Sequence, residues 1–353
     1  MLTENCVTLQ PYFIPIFMAE KILITGAGGF IGGYIVEESL RRGYDTYAGV
    51  RNTTSREYLT DTRITFINLD FAHPDKLQSQ LLQYKREMGG WDYIIHNLGV
   101  TKCKKSKDFY TINYEYTRNF ANALVACGMT PKKFIYMSSL SVCGKGDEVN
   151  HTPIKLTDTP HPNTHYGKSK LKAEECLHSL PDFPYIILRP TGVYGPREKD
   201  YLIMMQSIKW GIDLRAGYSK QLITFIYIKD LIRGVFAAVE GTTVRKKYFL
   251  SEEQAYSSSG FGNYVARELG KKFVVPIILP MWLLWLITHT VEGINKLTGW
   301  TSAVNRDKYH IMSQRNWVCD TSSTREDLDF VPQYSLEQGV RETVAWYRDN
   351  KWL

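Results

Sequence analysis

From Lys21 onward, short apolar runs alternate with longer segments in which apolar residues recur at helical spacing. Lys21-Ile22-Leu23-Ile24-Thr25 predicts a buried strand, residues 30–42 a helix, residues 44–50 a second strand and residues 64–69 a third. Further strands are expected at 93–96, 134–137 and 185–188. Such runs, separated by helix-length stretches, fit a parallel sheet covered on both faces, so the predicted fold class is α/β with a doubly wound parallel sheet. After Arg189-Pro190 the rhythm loosens into a smaller, irregular region. A part that selects a substrate would sit there, over the carboxyl ends of the strands.

One block breaks the pattern. Residues 273–287 (FVVPIILPMWLLWLI) are apolar throughout. The block is shorter than the roughly 20 residues that span a bilayer, and Pro276 and Pro280 interrupt it, so no transmembrane helix is expected. A strand ending near Pro276 and a helix opening at Pro280 are predicted instead. Residues 281–287 would make the first turns of that helix apolar on every side, more than one buried face needs. Two readings follow: a helix wedged between domains or at a homodimer interface, or an apolar entrance or monotopic membrane contact for a lipid-like substrate.

Composition narrows the classes. The chain has 353 residues, enough for about two modules. Its hydrophobic fraction of 44% and charged fraction of 22% exclude disordered, collagen-like and multi-span membrane proteins. The six cysteines form no C-x-x-C pair and no zinc-ligand spacing, so neither a disulfide scaffold nor a metal site is expected, and a reducing cytoplasm fits best. A net charge of +7 mildly favours phosphates or a lipid surface. The basic residues are dispersed and do not point to nucleic acid, and the cluster Lys102, Lys104, Lys105 and Lys107 reads as a solvated loop. Residues 1–17 lack the features of a secretory signal and read as a disordered extension or a start-site artefact, with the functional chain beginning near Met18.

The first strand runs into Gly26-Ala27-Gly28-Gly29-Phe30-Ile31-Gly32 and then a helix. Gly26, Gly29 and Gly32 would allow a tight turn and close approach of a pyrophosphate, while Phe30 and Ile31 open a helix whose N–H groups and dipole favour an anion. At the end of the second strand stands Val50-Arg51, where a carboxylate would bind a ribose 2′-hydroxyl. A guanidinium there suits a 2′-phosphate, so NADP(H) is favoured over NAD(H). Tyr166 and Lys170, four apart, share a helical face, and an ammonium near a phenol favours the phenolate. Ser138-Ser139 follow a predicted strand, where a hydroxyl can meet a reacting oxygen.

With these pieces the sequence resembles the extended short-chain dehydrogenase/reductase family from Lys21 to Leu353. The matching motifs are TGAGGFIG (25–32), Asp70-Phe71, HNLGV (96–100), Asn113 with Thr117 and Asn119, SSLSVCG (138–144), YGKSK (166–170), RPTGVYGPR (189–197) and FIYIKD (225–230). The resemblance implies a Rossmann domain over 18–190 with a return segment at 223–242, and an interleaved substrate-binding region over 191–353. It implies that Tyr166 is the catalytic acid/base, that Lys170 lowers its pKa and holds the nicotinamide ribose, and that Ser139 polarises the substrate oxygen. It further implies that Asp70 and Phe71 contact adenine, that Leu98 and Gly99 line the cofactor, and that Pro190 to Val193 pack near the nicotinamide. Cys143 stands where the family often has tyrosine.

Within the family, Ser139 is followed by Leu140-Ser141, without the Asp-Glu pair of the dehydratases, and Gly192 and Ile223 occupy slots where nucleotide-sugar enzymes tend to have Asn and Arg. The expected function is an NADP(H)-dependent oxidoreductase interconverting a ketone and a secondary alcohol on a hydrophobic substrate such as a 3-keto sphingoid base or a sterol. The expected branches are those similar to sterol or 3β-hydroxysteroid dehydrogenases and to dihydroflavonol reductases, in the cytoplasm or peripheral at a membrane. The alternatives are a nucleotide-sugar epimerase and a non-catalytic NADP-binding scaffold.

Overall fold

The computed structural model describes residues 19–298 and 306–353; the segment 1–17 lies outside them. In chain order the first part comprises β1 (Lys21–Thr25), α1 (Phe30–Arg41), β2 (Asp45–Gly49), β3 (Thr65–Ile67), α2 (Pro74–Met88), β4 (Tyr93–His96), α3 (Ser106–Phe109), α4 (Tyr116–Ala126), β5 (Lys133–Met137), α5 (His165–Ser179) and β6 (Tyr185–Pro190). The second comprises β7 (Gly192–Tyr194), α6 (Asp200–Lys209), β8 (Ile212–Ala216), β9 (Leu222–Ile223), β10 (Phe225–Tyr227), α7 (Ile228–Glu240), β11 (Lys246–Leu250), β12 (Tyr256–Ser257) and α8 (Gly260–Glu268). Then come β13 (Val275–Leu279), α9 (Met281–Thr298), α10 (Arg306–Ser313), α11 (Ser322–Leu328) and α12 (Leu336–Asp349).

Seven strands form one parallel sheet in the order β11-β6-β5-β4-β1-β2-β3. Alternate residues of each strand feed two separate cores. Ile22, Ile24, Ile95, Ile135, Ile186 and Leu188 pack with α1 and α7 on one face. Leu23, Ile94, Phe134, Tyr136 and Ile187 pack with α2, α4 and α5 on the other. This explains the unbroken apolar runs: both faces are covered, and each fully buried aliphatic side chain contributes about 2 kcal/mol. The seventh strand, β11, lies outside the 223–242 segment; α7 leads into it from that segment. Buried Lys133 at the start of β5 donates to the carbonyls of Ala238, Val239 and Gly241, closing the C-terminal end of α7.

β1 pairs with β2 on one side and β4 on the other, so the order reverses there, and a crevice opens at the carboxyl ends of β1 and β4. Outside the main sheet, β7 pairs with β10, β9 with β12, and β8 with β13. β13 runs through Pro276 to Leu279 instead of ending near it. It has one neighbouring strand, β8, and an edge strand tolerates a residue without an N–H.

Candidate active site

The loop between β1 and α1 is shaped by what side chains could not occupy. Gly26 adopts φ 69°, and a Cβ there would lie 2.8 Å from the Asn97 carbonyl oxygen beyond β4. A Cβ on Gly32 would fall 2.1 Å from the Gly26 oxygen, so the first turn of α1 can press on the loop only with glycine there. A Cβ on Gly28 would meet the Thr54 methyl at 2.1 Å, which brings the loop after β2 against the glycine turn. Phe30 and Ile31 open α1, whose first N–H groups have no partners within the helix. A bare backbone turn at a helix N-terminus beside a sheet crevice fits a dinucleotide pyrophosphate.

Arg51 lies on that second loop, exposed and in no ion pair among the described residues; its backbone closes a turn with Thr54. Leu98 N–H donates to Thr25 Oγ1, and a Cβ on the exposed Gly99 would lie 2.9 Å from Lys170 Nζ, which puts the turn after β4 next to α5. The Asp70 carboxylate is engaged with Lys76 and His73, each at 3.0 Å, and the first of these contacts contributes most to holding it below its usual range. The Phe71 ring packs on Phe120 at 5.1 Å. Pro190 ends β6, which runs beside β5 so that Ser138 N–H donates to the Leu188 carbonyl, and Val193 lies in β7, paired with Ile226 of β10.

Ser139, Tyr166 and Lys170 meet at the carboxyl end of β5. Ser139 accepts from Ser141 N–H at 3.2 Å, starting a 3₁₀ turn over Leu140–Val142 that fixes its hydroxyl. Thr164 caps α5 through Gly167 N–H, placing Tyr166 in the first turn and Lys170 one turn on. Burial raises the Tyr166 pKa, and the neighbouring Ser139 side chain opposes that. The acidifying contact on Tyr166 is thus Ser139. Lys170 Nζ instead donates to the Met137 carbonyl at 2.7 Å and lies 4.9 Å from the centre of the Tyr136 ring. Its burial pulls it down to about 7 from 10.5, with Glu174 pulling the other way.

Several supporting residues carry no role in the sequence reading. Asn113 sits in a π-helical turn, Tyr110–Glu115, and exchanges hydrogen bonds with both backbone groups of Val100 while donating to Ser169 Oγ. It clips the turn after β4 to α5; π-turns of this kind mark functional sites. Buried His96 bridges Thr25 and Thr117, and burial lowers its pKa to about 3, so it is a neutral strut. Behind Lys170, Glu174 accepts from Ser138 Oγ at 2.5 Å and pairs with Arg189 at 2.5 Å, both charges almost wholly buried. Arg189 also reaches Cys143 Sγ at 3.6 Å. From the distal region Asp307 of α10 accepts from Tyr166 N–H at 3.2 Å. Only the resemblance signalled Asn113; Glu174 and Asp307 had no signal beyond a charged residue on a helix.

The family model described as "NAD dependent epimerase/dehydratase family" matches residues 22–248. The chain belongs to that family. It is an enzyme, and the resemblance to extended short-chain dehydrogenases/reductases holds across the chain. It is 25% identical to a UDP-glucose 4-epimerase of Vibrio cholerae over 93% of this chain and 95% of that one. Identity to a decarboxylating sterol-4-alpha-carboxylate 3-dehydrogenase of Dictyostelium discoideum is 23%, over 92% and 99%. In structure the epimerase/dehydratase-family chain is similar to a UDP-glucose 4-epimerase from Thermotoga maritima bound to UDP-glucose. The TM-score is 0.74 at 18% identity, covering 94% of this chain and 99% of that one. A UDP-glucuronic acid 4-epimerase from Bacillus cereus in complex with NAD gives 0.73 at 22% identity, over 94% and 99%.

Proposed function

We propose that the protein is an NADP(H)-dependent oxidoreductase interconverting a ketone and a secondary alcohol on a hydrophobic, lipid-like substrate such as a 3-keto sphingoid base or a sterol. The reading rests on one observation: the Ser139 hydroxyl and the Tyr166 phenol come together at the sheet's carboxyl edge, with Lys170 one turn further along α5. The glycine turn and first turn of α1 (Gly26, Gly29, Phe30, Ile31, Gly32), with Leu98, Gly99, Pro190, Val193 and Lys170, would hold the dinucleotide. Arg51 would meet its 2′-phosphate and Phe71 with Asp70 its adenine end. When bound, the nicotinamide supplies or takes up a hydride. In the reducing direction Tyr166 Oη gives its proton to the substrate carbonyl oxygen while Ser139 Oγ donates a hydrogen bond to it. In its protonated form Lys170, one turn along α5, would favour the phenolate that Tyr166 becomes, in addition to the Ser139 contact.

The hydrophobic substrate is supported by the apolar 273–287 segment and by the sterol dehydrogenase relative. The proposed setting is the cytoplasm, peripheral at a membrane, on the sparse and unpatterned cysteines and that same segment. A second reading, a nucleotide-sugar epimerase, is favoured by the Vibrio cholerae relative. The test is purified protein with NADPH and a panel of long-chain keto lipids, keto sterols and UDP-sugars. Cofactor oxidation with a keto lipid, reduced roughly hundredfold to thousandfold in Tyr166→Phe, is the expected result. Turnover of a UDP-sugar without net cofactor oxidation would overturn it in favour of the epimerase.

A further inference from the structure

The β8–β13 ribbon and α9 expose side chains of a kind the main sheet buries. Parallel register sets Leu214 against Ile277, and both are exposed. Phe273, at the entry to β13, is 78% exposed, and Trp210, between α6 and β8, is 79% exposed. Only Pro280 separates β13 from α9, where Trp282 is 68% and Trp285 47% exposed. In that helix Leu284 and Thr288, four apart, face inward, while the two tryptophans, three apart, face out. No helix among the described residues is long and apolar enough to cross a membrane.

The rim of this surface is basic. Lys209, Lys220, Lys271 and Lys272 are exposed and make no ion pair among the described residues. The neighbouring carboxylates are already taken: Asp213 by Arg215 at 2.7 Å, Glu268 by Arg341 at 3.5 Å and Glu292 by Arg306 at 3.7 Å. Apposing two copies through this face would bring lysine rims together, whereas an anionic headgroup layer complements them. Tryptophans on an outward helical face suit the boundary between headgroups and acyl chains.

We infer that the β8–β13 ribbon and α9 form a docking surface for an anionic lipid bilayer, with Trp282, Trp285 and Phe273 inserted at the interface and the lysines on phosphate groups. α9 packs on α10, which carries Asp307 to the Tyr166 N–H, so the docked face lies one helix away from the contact on the catalytic helix. This surface is argued from its own composition and does not rest on the identity of the substrate.

The test is co-sedimentation of the full chain with phosphatidylcholine vesicles, with and without phosphatidylserine. Binding to the anionic vesicles is expected, weakened by high salt, together with a blue shift of tryptophan fluorescence. A Phe273→Ser, Trp282→Ser, Trp285→Ser variant is expected to bind at least about tenfold more weakly. Lys271→Glu with Lys272→Glu keeps the apolar face intact and is expected to lose the preference for phosphatidylserine. Wild-type protein left in the supernatant would overturn the inference, as would undiminished binding by both variants. So would a dimer in sedimentation velocity that the triple variant dissociates, combined with no vesicle binding. Loss of ketone reduction in the NADPH assay bears on the substrate reading alone.

Discussion

The part of the sheet around β5 and β6 and the outer layer of β13 and α9 are written in nearly the same alphabet, yet they treat water in opposite ways. Residues of KFIYM and YIILRP are buried throughout, whereas VPIIL and MWLLWLI leave most of their side chains exposed. The difference is architectural. β5 and β6 have a strand on each side and helices on both faces, while among the described residues β13 has one strand beside it and leaves Val275, Pro276 and Ile277 exposed. Charges divide the same way: Glu174, Arg189, Lys170 and Lys133 are buried with partners, whereas the lysines around the outer layer stand in solvent. One region therefore depends on close pairing of buried charges, and the other leaves its lysines without an ion pair among the described residues.

Replacing Glu174 with Gln probes the pairing most severely. Arg189, 1% exposed, would lose its compensating charge, and removing one partner of a buried pair costs about 3–5 kcal/mol. Denaturant titration should show a loss of that order, and Glu174→Leu combined with Arg189→Met should recover much of it. A loss under about 1 kcal/mol would make this core as permissive as the outer layer.

Lys170 supplies a pH-dependent version. Its folded value of about 7 lies below the usual 10.5, so between those values the unfolded chain holds a proton that the folded chain has released. This contribution makes stability rise with pH from about 7 toward 10, by at most about 1.4 kcal/mol per pH unit, and adds no slope below 7. Unfolding midpoints across that range should climb less steeply in Lys170→Met than in the wild type. Equal slopes would mean that the lysine keeps its ordinary pKa.

These expectations also show what could be read along the chain. Six strands of the sheet stand out as apolar runs because both faces are covered; β11 begins with two exposed lysines, Lys246 and Lys247, and lacks that signature. The glycine turn was legible because glycine reports a steric demand that acts locally. Glu174 was not, since a glutamate on a helix looks solvent-facing until β6 delivers Arg189 and β5 delivers Ser138. Asp307 meets Tyr166 across 141 residues, a separation no local pattern encodes. For 273–287 the apolar character and helix start were visible, but its exposure was decided by a covering layer that only the fold could supply or omit.

Arg51 is proposed for the site on its chemistry, while its exposure is that of the surface. Arg51→Asp removes a guanidinium free to pair with a 2′-phosphate and puts a repelling carboxylate there, so NADPH should bind about 10- to 100-fold more weakly while NADH is spared. Fluorescence titration with both cofactors measures the ratio. An unchanged ratio would assign Arg51 to the solvated loop and leave cofactor choice to other groups.

The smallest expected effect is the most pointed. Trp282→Ser and Trp285→Ser would remove two of the largest side chains in the protein, a change that in a packed core costs about 3–5 kcal/mol apiece. At 68% exposure Trp282 has little burial to lose and its substitution should alter the unfolding free energy by no more than about 0.5 kcal/mol, whereas Trp285, 47% exposed, should lose about 1 kcal/mol. Trp285 is the more sensitive of the two because its ring stacks on His289 at 4.0 Å. Denaturation in plain buffer checks both. A loss of several kcal/mol at either position would mean that the isolated chain buries this helix against itself, and the contrast between the paired core and the open outer layer would fail at α9.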